Sequence, residues 1–418
     1  MTHVLDDLDA RGLIAHATDA DALRAALDEG PITYYVGFDP TAPSLHVGNL
    51  LQLLTARRLQ LAGHRPLILV GGSTGLIGDP KQSGERVMNS RETVAEWVER
   101  IRAQVSRFVS FDGENAATVV NNLDWTSQIN TIDFLRDIGK HFPVNRMLAR
   151  DVVSSRLESG ISYTEFSYVL LQSLDFLELY RRYGCILQTG GSDQWGNLTA
   201  GVELIRRSDS GKAHALATPL ITKADGTKFG KTETGTIWLD PGLMSPYAFH
   251  QAWMQAEDAK VGEYLKQFTF LPVEEVDALM AEHADAPGRR VPQRRLAREL
   301  TSLVHGEVET DAAELAATAL FGRGALEELP ETTLEAALTE AGVATLAGSA
   351  TITDALVEAG LSDSRSAARR AVADGGAYAN NVRVDDPEQQ LSDLAPLQGS
   401  WIVLRRGKRQ IAGVKLHR

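Results

Sequence analysis

Two lysines three residues apart, Lys228 and Lys231, stand on a glycine-bearing stretch, KADGTKFGKT at residues 223–232. Its ending, Gly-Lys-Thr, is also that of the phosphate-binding loop of nucleotide hydrolases, which needs Gly, four residues, then Gly-Lys-Ser/Thr. Here Asp225 stands where the first glycine belongs, and Gly226 is one residue too close. Such a loop also opens a helix whose N-terminus helps to hold phosphate. The residues after Thr232, ETGTIWLDPG, have no helical period. That loop is excluded, and the two lysines remain as a source of positive charge.

Three further glycine-bearing turns carry polar groups. GFDPTAPSLHVGN holds Asp39, Thr41, His46 and Asn49; GGSTGLIGDP holds Asp79; GGSDQWGN holds Asp193 and Gln194. One such turn alone is most simply a strand–helix connection. Three of them with acids, leaving the strands of one sheet, point to a ligand site beyond the strand ends. At HVGN, the His46 N–H, Asn49 and the first amides of a helix converge on one anion, and Gly48 lets a ring stack on the backbone. Lys228 and Lys231 supply charge from the other side. No acid–base pair is evident, so the chemistry that suits these residues is electrostatic stabilisation of a transferring phosphoryl or nucleotidyl group.

The elements that must position these turns emerge from the pattern. ITYYVGFDP reads as a buried strand, LLQLLTARRLQLAG as a helix ending at Gly63, and RPLILVGGSTGLIGDP as a strand running into a loop. TVAEWVERIRAQVSRFV is helical and ATVVNNLDW is a strand. This alternation predicts a parallel α/β sheet. Residues 132–150 and 164–180 read as long amphipathic helices, CILQTGGSDQWGN as a strand and turn, and LTAGVELIRR as the next helix. From Pro246 to about Leu320 the pattern is helical. Residues 329–350 are acidic, rich in Ala and Gly and poor in large apolar side chains, which predicts a mobile linker. Two helices, a turn, a strand and the hairpin SWIVLRRGKRQIAGVKL come next. The expected division is thus 1–225, 226–245, 246–328, 329–350 and 351–418.

Composition fits a globular chain of 418 residues with 43% apolar and 23% charged residues. No apolar run is long enough for a bilayer, and no signal peptide is evident. The one cysteine, Cys185, excludes a disulfide framework or a multi-cysteine zinc site, and a cytoplasmic location is expected. Net charge is −13, against a protein coated in nucleic acid, but residues 351–418 hold ten Lys/Arg and eight Asp/Glu. The last 18 residues hold six Lys/Arg and no acid. A local basic face on an acidic body suits one polyanion bound at a defined place.

HVGN and KFGKT resemble the HIGH and KMSKS signatures of class I aminoacyl-tRNA synthetases. Five blocks in order, GFDPTAPSLHVGN, GHRPLILVGGSTGLIGDP, GISYTEFSYVLLQSLDF, GGSDQWGN and ITKADGTKFGKTETGTIWLD, resemble the bacterial tyrosyl-tRNA synthetase family. The C-terminal segment resembles the RNA-binding module shared with a small-subunit ribosomal protein. The likeness covers nearly the whole chain apart from the expected linker.

The resemblance implies a Rossmann-like catalytic domain with a helical dimerisation insertion, a small α-helical domain and a C-terminal α+β RNA-binding domain. It implies activation of L-tyrosine by ATP to tyrosyl-adenylate and pyrophosphate, with Mg2+ held by the phosphates and not by the protein. Transfer to the 3′-terminal adenosine of tRNA(Tyr) comes second. By this likeness Thr41, His46, Asn49, Arg86, Lys228, Lys231 and Thr232 act on the phosphates; Lys81 shares the Arg86 loop. Gly37, Asp39, Gly48, Gly191, Asp193 and Lys231 lie around ATP and the adenylate. Asn49 replaces the signature's second histidine and keeps one hydrogen-bond donor. Asp175 accepts the phenol proton and Tyr35 donates to the phenol oxygen, while Asp79, Tyr168, Gln172 and Gln194 surround the amino group. Tyr168, Gln172 and Asp175 fall on one helix face, where an acid and an amide are costly without partners. Arg206, Arg207, Arg405, Arg406, Lys408 and Arg409 are the expected tRNA contacts. A homodimer is expected, with no membrane and no DNA partner. Two alternatives stay open: an RNA-binding or regulatory protein that kept the fold without activity, and a synthetase for another aromatic amino acid.

Overall fold

The computed structural model describes residues 3–80, 84, 88–227, 229–232, 235–321, 324–407 and 410–417, with only the backbone described for Lys231 and Thr232. Lys81, Arg86, Lys228, Lys408 and Arg409 therefore lie outside the described residues. The chain forms two compact units, one of residues 1–240 and 257–292, the other of residues 241–256 and 293–418.

The first unit is built on strands β1 (His16–Ala17), β2 (Thr33–Phe38), β3 (Arg65–Val70), β4 (Thr118–Asn121), β5 (Cys185–Gly191) and β6 (His214–Thr218), in the order β1-β6-β5-β2-β3-β4. All pairs are parallel except β1 with β6. The apolar runs explain the parallel core. Tyr34, Tyr35, Val36 and Phe38 of β2 and Ile68, Leu69 and Val70 of β3 are all buried, as strands covered on both faces require. From β2 the chain adds β3 and β4 on one side, then returns to lay β5 and β6 on the other. The switch falls between β2 and β5.

The helix Val47–Leu61 covers the sheet with Leu50, Leu51, Leu53, Leu54 and Leu59, each at most 1% exposed. Each such leucine contributes about 1.5–3 kcal/mol of burial, so Leu50→Ala alone costs about 2–5 kcal/mol. The chain turns out of it at Gly63, whose φ of 101° favours glycine. The helix Tyr168–Tyr183 ends in the same way at Gly184, φ 62°. Segment 257–292 returns to this unit. There Arg11 donates to the carbonyls of Lys266 and Leu271, and buried Arg58 lies 4.6 Å over the Phe270 ring.

Residues 132–150 do not form one helix. They break into Thr131–Asp133, a wide turn Phe134–Ile138, a tight turn Gly139–His141 and Val144–Leu148. Pro143 at the head of the last piece explains the break, since it has no N–H to continue a helix.

In the second unit, strands β9 (Val343–Ala347), β10 (Ala377–Ala379), β11 (Val382–Arg383), β12 (Trp401–Arg406) and β13 (Gln410–His417) form a sheet ordered β11-β10-β12-β13-β9. The expected hairpin is β12–β13. The segment expected as a linker differs. It holds the helix Glu331–Ala341 and β9, which pairs parallel with β13. Leu334, Ala337 and Leu338 are buried in one cluster with Leu320, Trp401 and Val403. Small residues misled the sequence reading because helix and sheet approach closely here. A Cβ at Gly413 would stand 2.8 Å from that of Leu338, so the contact admits only glycine on the strand side. Among the described residues no helix is long and apolar enough to cross a membrane.

Candidate active site

A cleft of about 530 Å³ opens where β2 and β5 diverge. It gathers turns far apart in sequence. Gly37, Asp39, Thr41, His46, Gly48 and Asn49 line it from the β2 side, and Gly191, Asp193 and Gln194 from the β5 side. Tyr35, Asp79, Tyr168, Gln172 and Asp175 complete the wall. Phe229 and Gly230 bring the lysine-bearing stretch to the same cleft. Lys231 and Thr232 come next in the short strand β7 (Lys231–Thr232), which pairs with β8 (Gly235–Thr236).

At the helix end of the cleft the local fold is a capping box. The His46 Nδ1 accepts the Gly48 N–H at 3.0 Å, and the Asn49 Oδ1 accepts the His46 N–H at 3.0 Å. A nitrogen that accepts carries no proton, so neutral His46 carries it on Nε2 and that atom donates. The Asn49 oxygen is spent on the cap, which leaves Nδ2 as its donor. Gly48 is needed sterically: a Cβ there would lie 2.9 Å from the imidazole Cε1. The positive helix end and these donors face one region. At Gly37 a Cβ would meet nothing nearer than 3.7 Å. Protein packing does not demand that glycine, and its missing side chain leaves room in the cleft.

At the other end the polar groups are buried. The Asp175 carboxylate, 2% exposed, accepts from Asn122 Nδ2 at 2.9 Å and Trp125 Nε1 at 2.8 Å. Burial pushes its carboxyl up to about 8, against the pull of those two hydrogen bonds. The Tyr35 hydroxyl is buried without a hydrogen-bond partner among the described residues, and so is Gln172 Oε1. Burial first, and the Asp175 carboxylate second, hold the Tyr35 phenol protonated. Tyr168 donates to Asp39 Oδ2 at 2.6 Å, and Thr74 donates to Asp39 Oδ1 at 2.6 Å. With its proton committed, the Tyr168 oxygen faces the cleft as an acceptor. Asp79 accepts from Gln194 Nε2 at 2.9 Å and Asn197 Nδ2 at 3.2 Å.

Among the described residues, the expected tRNA contacts Arg206, Arg207, Arg405 and Arg406 are engaged within the protein. Arg206 donates twice to Glu203, at 2.7 and 2.9 Å, and Arg207 donates to Glu203 and to the His141 carbonyl. In the second unit Arg405 lies 4.0 Å over the Tyr378 ring, and Arg406 donates to the Leu361 carbonyl at 2.7 Å.

Sequence reasoning missed Asn122 and Trp125, which hold Asp175, and Asn197, which holds Asp79. The signal for the first pair was present in ATVVNNLDW, a polar turn at a strand end that lacks glycine. It also missed the base of the lysine-bearing stretch. The Tyr264 hydroxyl donates to the Thr222 carbonyl at 2.8 Å, its ring stands 4.8 Å from that of Phe229, and Glu257 accepts the Ala224 N–H at 2.8 Å.

Known proteins are similar to nearly the whole chain. Residues 27–322 match the family described as tRNA synthetases class I (W and Y), and residues 333–413 match the C-terminal domain described as tyrosine–tRNA ligase SYY-like. The chain is 59% identical over 416 residues to the tyrosine–tRNA ligase of Kineococcus radiotolerans, covering 99% of both. It is 59% identical to that of Cutibacterium acnes, over 99% of this chain and 100% of the relative. A C-terminally truncated mitochondrial tyrosyl-tRNA synthetase of Aspergillus nidulans superposes with a TM-score of 0.69 at 30% identity, over 77% of this chain and 95% of that one. A tryptophanyl-tRNA synthetase of Encephalitozoon cuniculi, at 12% identity and a TM-score of 0.55, shares the fold. With its signature turns gathered on one cleft, this chain belongs to the class I tyrosyl-tRNA synthetases and has the tyrosine–tRNA ligase function of that family.

Proposed function

We propose that the cleft joins tyrosine to the α-phosphate of ATP and then hands the tyrosyl group to tRNA(Tyr), with the work divided among its side chains. The phenol lies between Tyr35 and Asp175. Asp79, the Tyr168 oxygen, Gln172 and Gln194 receive the ammonium. A carboxylate oxygen of tyrosine attacks the α-phosphorus, the bond to the bridging oxygen breaks, and pyrophosphate leaves. His46 Nε2, Asn49 Nδ2, Thr41 and the first amides of the helix Val47–Leu61 hold the charge that develops, and Lys228, Lys231, Thr232 and Arg86 add their donors to it. Asp39, Gly37, Gly48, Gly191 and Asp193 flank the nucleotide. Mg2+ enters with the ATP phosphates as part of the substrate. A ribose hydroxyl of the terminal adenosine then attacks the acyl carbon, and AMP leaves.

The observation that carries this reading is the closed end of the cleft. A buried hydroxyl without a partner among the described residues and a buried carboxyl group line the same pocket, which is what a phenol needs and what a purely apolar side chain would leave unsatisfied. ATP–pyrophosphate exchange with each of the twenty amino acids tests it. Exchange with tyrosine alone is the expected result. Exchange driven best by another aromatic amino acid, or by none, would overturn it.

A homodimer and a cytoplasmic location belong to the same proposal. The insertion exposes Ile132, Leu135, Val144 and Leu148, four large apolar side chains on neighbouring short helices. Ile138 and Met147 are buried within the protomer instead. Arg405 and Arg406, with Lys408 and Arg409, are proposed to meet tRNA phosphates.

A further inference from the structure

Arg150 belongs to no signature. It stands between the short helices Val144–Leu148 and Asp151–Ser154, behind the wall of the cleft. Its guanidinium reaches the first turn of the helix Trp195–Asp209. There it lies against Gly196, where an added Cβ would come within 3.3 Å of Nε and Nη2. Nη2 donates to Asn197 Oδ1. Asn197, 2% exposed, donates from Nδ2 to Asp79 Oδ1 at 3.2 Å and to Gln194 Oε1 at 2.8 Å. Gln194 Nε2 donates to Asp79 Oδ2 at 2.9 Å.

A carboxamide has one accepting end and one donating end. A cation on the Asn197 oxygen decides which end faces Asp79. Were the amide reversed, its oxygen would oppose both the Asp79 carboxylate and the Gln194 oxygen. Gln194 would then lose the donor that sets its own orientation. We propose that Arg150 is a positioning residue for the amino end of the substrate pocket: through Asn197 and Gln194 it fixes the Asp79 carboxylate in the orientation that receives the ammonium of the bound amino acid. This rests on the reading of Asp79 as the partner of the ammonium.

Charge alone would act in the opposite sense. A cation behind Asp79 repels an ammonium, so its simple removal would tighten binding, whereas loss of positioning weakens it. The test compares three ligands by equilibrium dissociation constants: tyrosine, tyramine (which keeps the ammonium and lacks the carboxylate) and 3-(4-hydroxyphenyl)propanoate (which lacks the ammonium). In Arg150→Met, tyrosine and tyramine should each bind about tenfold more weakly, the size of one lost hydrogen-bond contribution. The propanoate should bind as before. The KM for tyrosine should rise while kcat at saturation stays within about twofold, because the ammonium is not the reacting group. If Arg150→Met lowers the melting temperature, Arg150→Lys carries the same comparison with the charge retained and the fork lost. Equal weakening of all three ligands, tighter binding of the two amines, or no change in any would overturn the inference. Asp79→Asn separates the two readings. If it loses the preference for tyrosine over the propanoate while the Arg150 variants keep it, the inference alone fails. If Asp79→Asn keeps that preference, the reading of Asp79 fails and the inference with it.

Discussion

If Asp175 accepts the phenol proton, the choice of tyrosine over phenylalanine should strengthen as pH rises towards 8. Burial holds the Asp175 carboxyl at about 8, so near neutrality most of it is protonated. A protonated carboxyl accepts a phenol proton poorly, and an ionised one forms the stronger, charge-assisted bond. Each pH unit below 8 lowers the ionised fraction about tenfold, which corresponds to about 1.4 kcal/mol. A neutral carboxyl still offers its carbonyl oxygen, so the expected change in the tyrosine-to-phenylalanine affinity ratio is about three- to tenfold per unit between pH 6 and 8, flattening above 8. Ionisation of the α-amino group affects both ligands alike and cancels in the ratio. Asp175→Asn keeps the size and removes the titration, so its ratio should be low and flat. The variant also turns an amide N–H2 toward Asn122 or Trp125, each of which donates to the carboxylate at 2.9 and 2.8 Å. That leaves one buried donor unsatisfied at about 1–3 kcal/mol, a cost without pH dependence that the slope does not feel. The assay is equilibrium binding of the two amino acids from pH 6 to 9 in both proteins. A wild-type ratio that stays constant over that range would refute the assignment of Asp175 as phenol acceptor.

His46→Ala and Lys231→Ala should slow adenylate formation by about 10²–10³-fold at saturating substrate and leave tyrosine affinity almost unchanged, as expected when a preorganised donor acts only in the transition state; near-normal single-turnover rates would contradict this. Tyr264→Phe keeps the ring against Phe229 and deletes the hydroxyl that reaches the Thr222 carbonyl; a fall of about tenfold in the rate of activation with unchanged tyrosine binding is expected, the size of one hydrogen bond. Replacing Arg405, Arg406, Lys408 and Arg409 by alanine should flatten the salt dependence of tRNA binding and leave pyrophosphate exchange intact, since phosphate contacts gain affinity through counterion release. His250, 3% exposed, is held at about 4 first by burial and then by the Arg298 charge. Its folded value lies below the unfolded one of 6.5, so the stability it confers is present above pH 6.5 and is lost as pH falls towards 4. The second unit should therefore lose up to about 3 kcal/mol over that window, and His250→Phe should remove this slope in acid denaturation followed by its tryptophans.

The parts of this architecture that were legible in the sequence are those written in local pattern. Glycine turns at strand ends named Asp39, Thr41, His46, Asn49, Asp79, Asp193 and Gln194, which line the cleft, and the basic hairpin showed itself by its two apolar runs. The parts that stayed hidden depend on partners far along the chain. Trp125 reaches Asp175 across 50 residues and Arg150 reaches Asn197 across 47, and neither carries a motif of its own. The helix Glu331–Ala341 was hidden for another reason. Its buried face is short, Thr333, Leu334, Ala337 and Leu338, and the acidic and small residues around it hide so few large apolar side chains from a pattern search. The return of segment 257–292 to the first unit had no local signal.

The divergence of β2 and β5 has a bearing on how the choice of amino acid could be rewritten. The crevice is a product of the order in which strands are laid down, so its existence depends on no side chain within it. Tyr35 and Gln172 present atoms that the described residues leave unused, and exchanging them removes no hydrogen bond that those atoms make among the described residues. Asp175 is different, because Asn122 and Trp125 are built around it. A library aimed at a new aromatic substrate should therefore vary positions 35 and 172 independently and treat 122, 125 and 175 as one unit, changed together or kept.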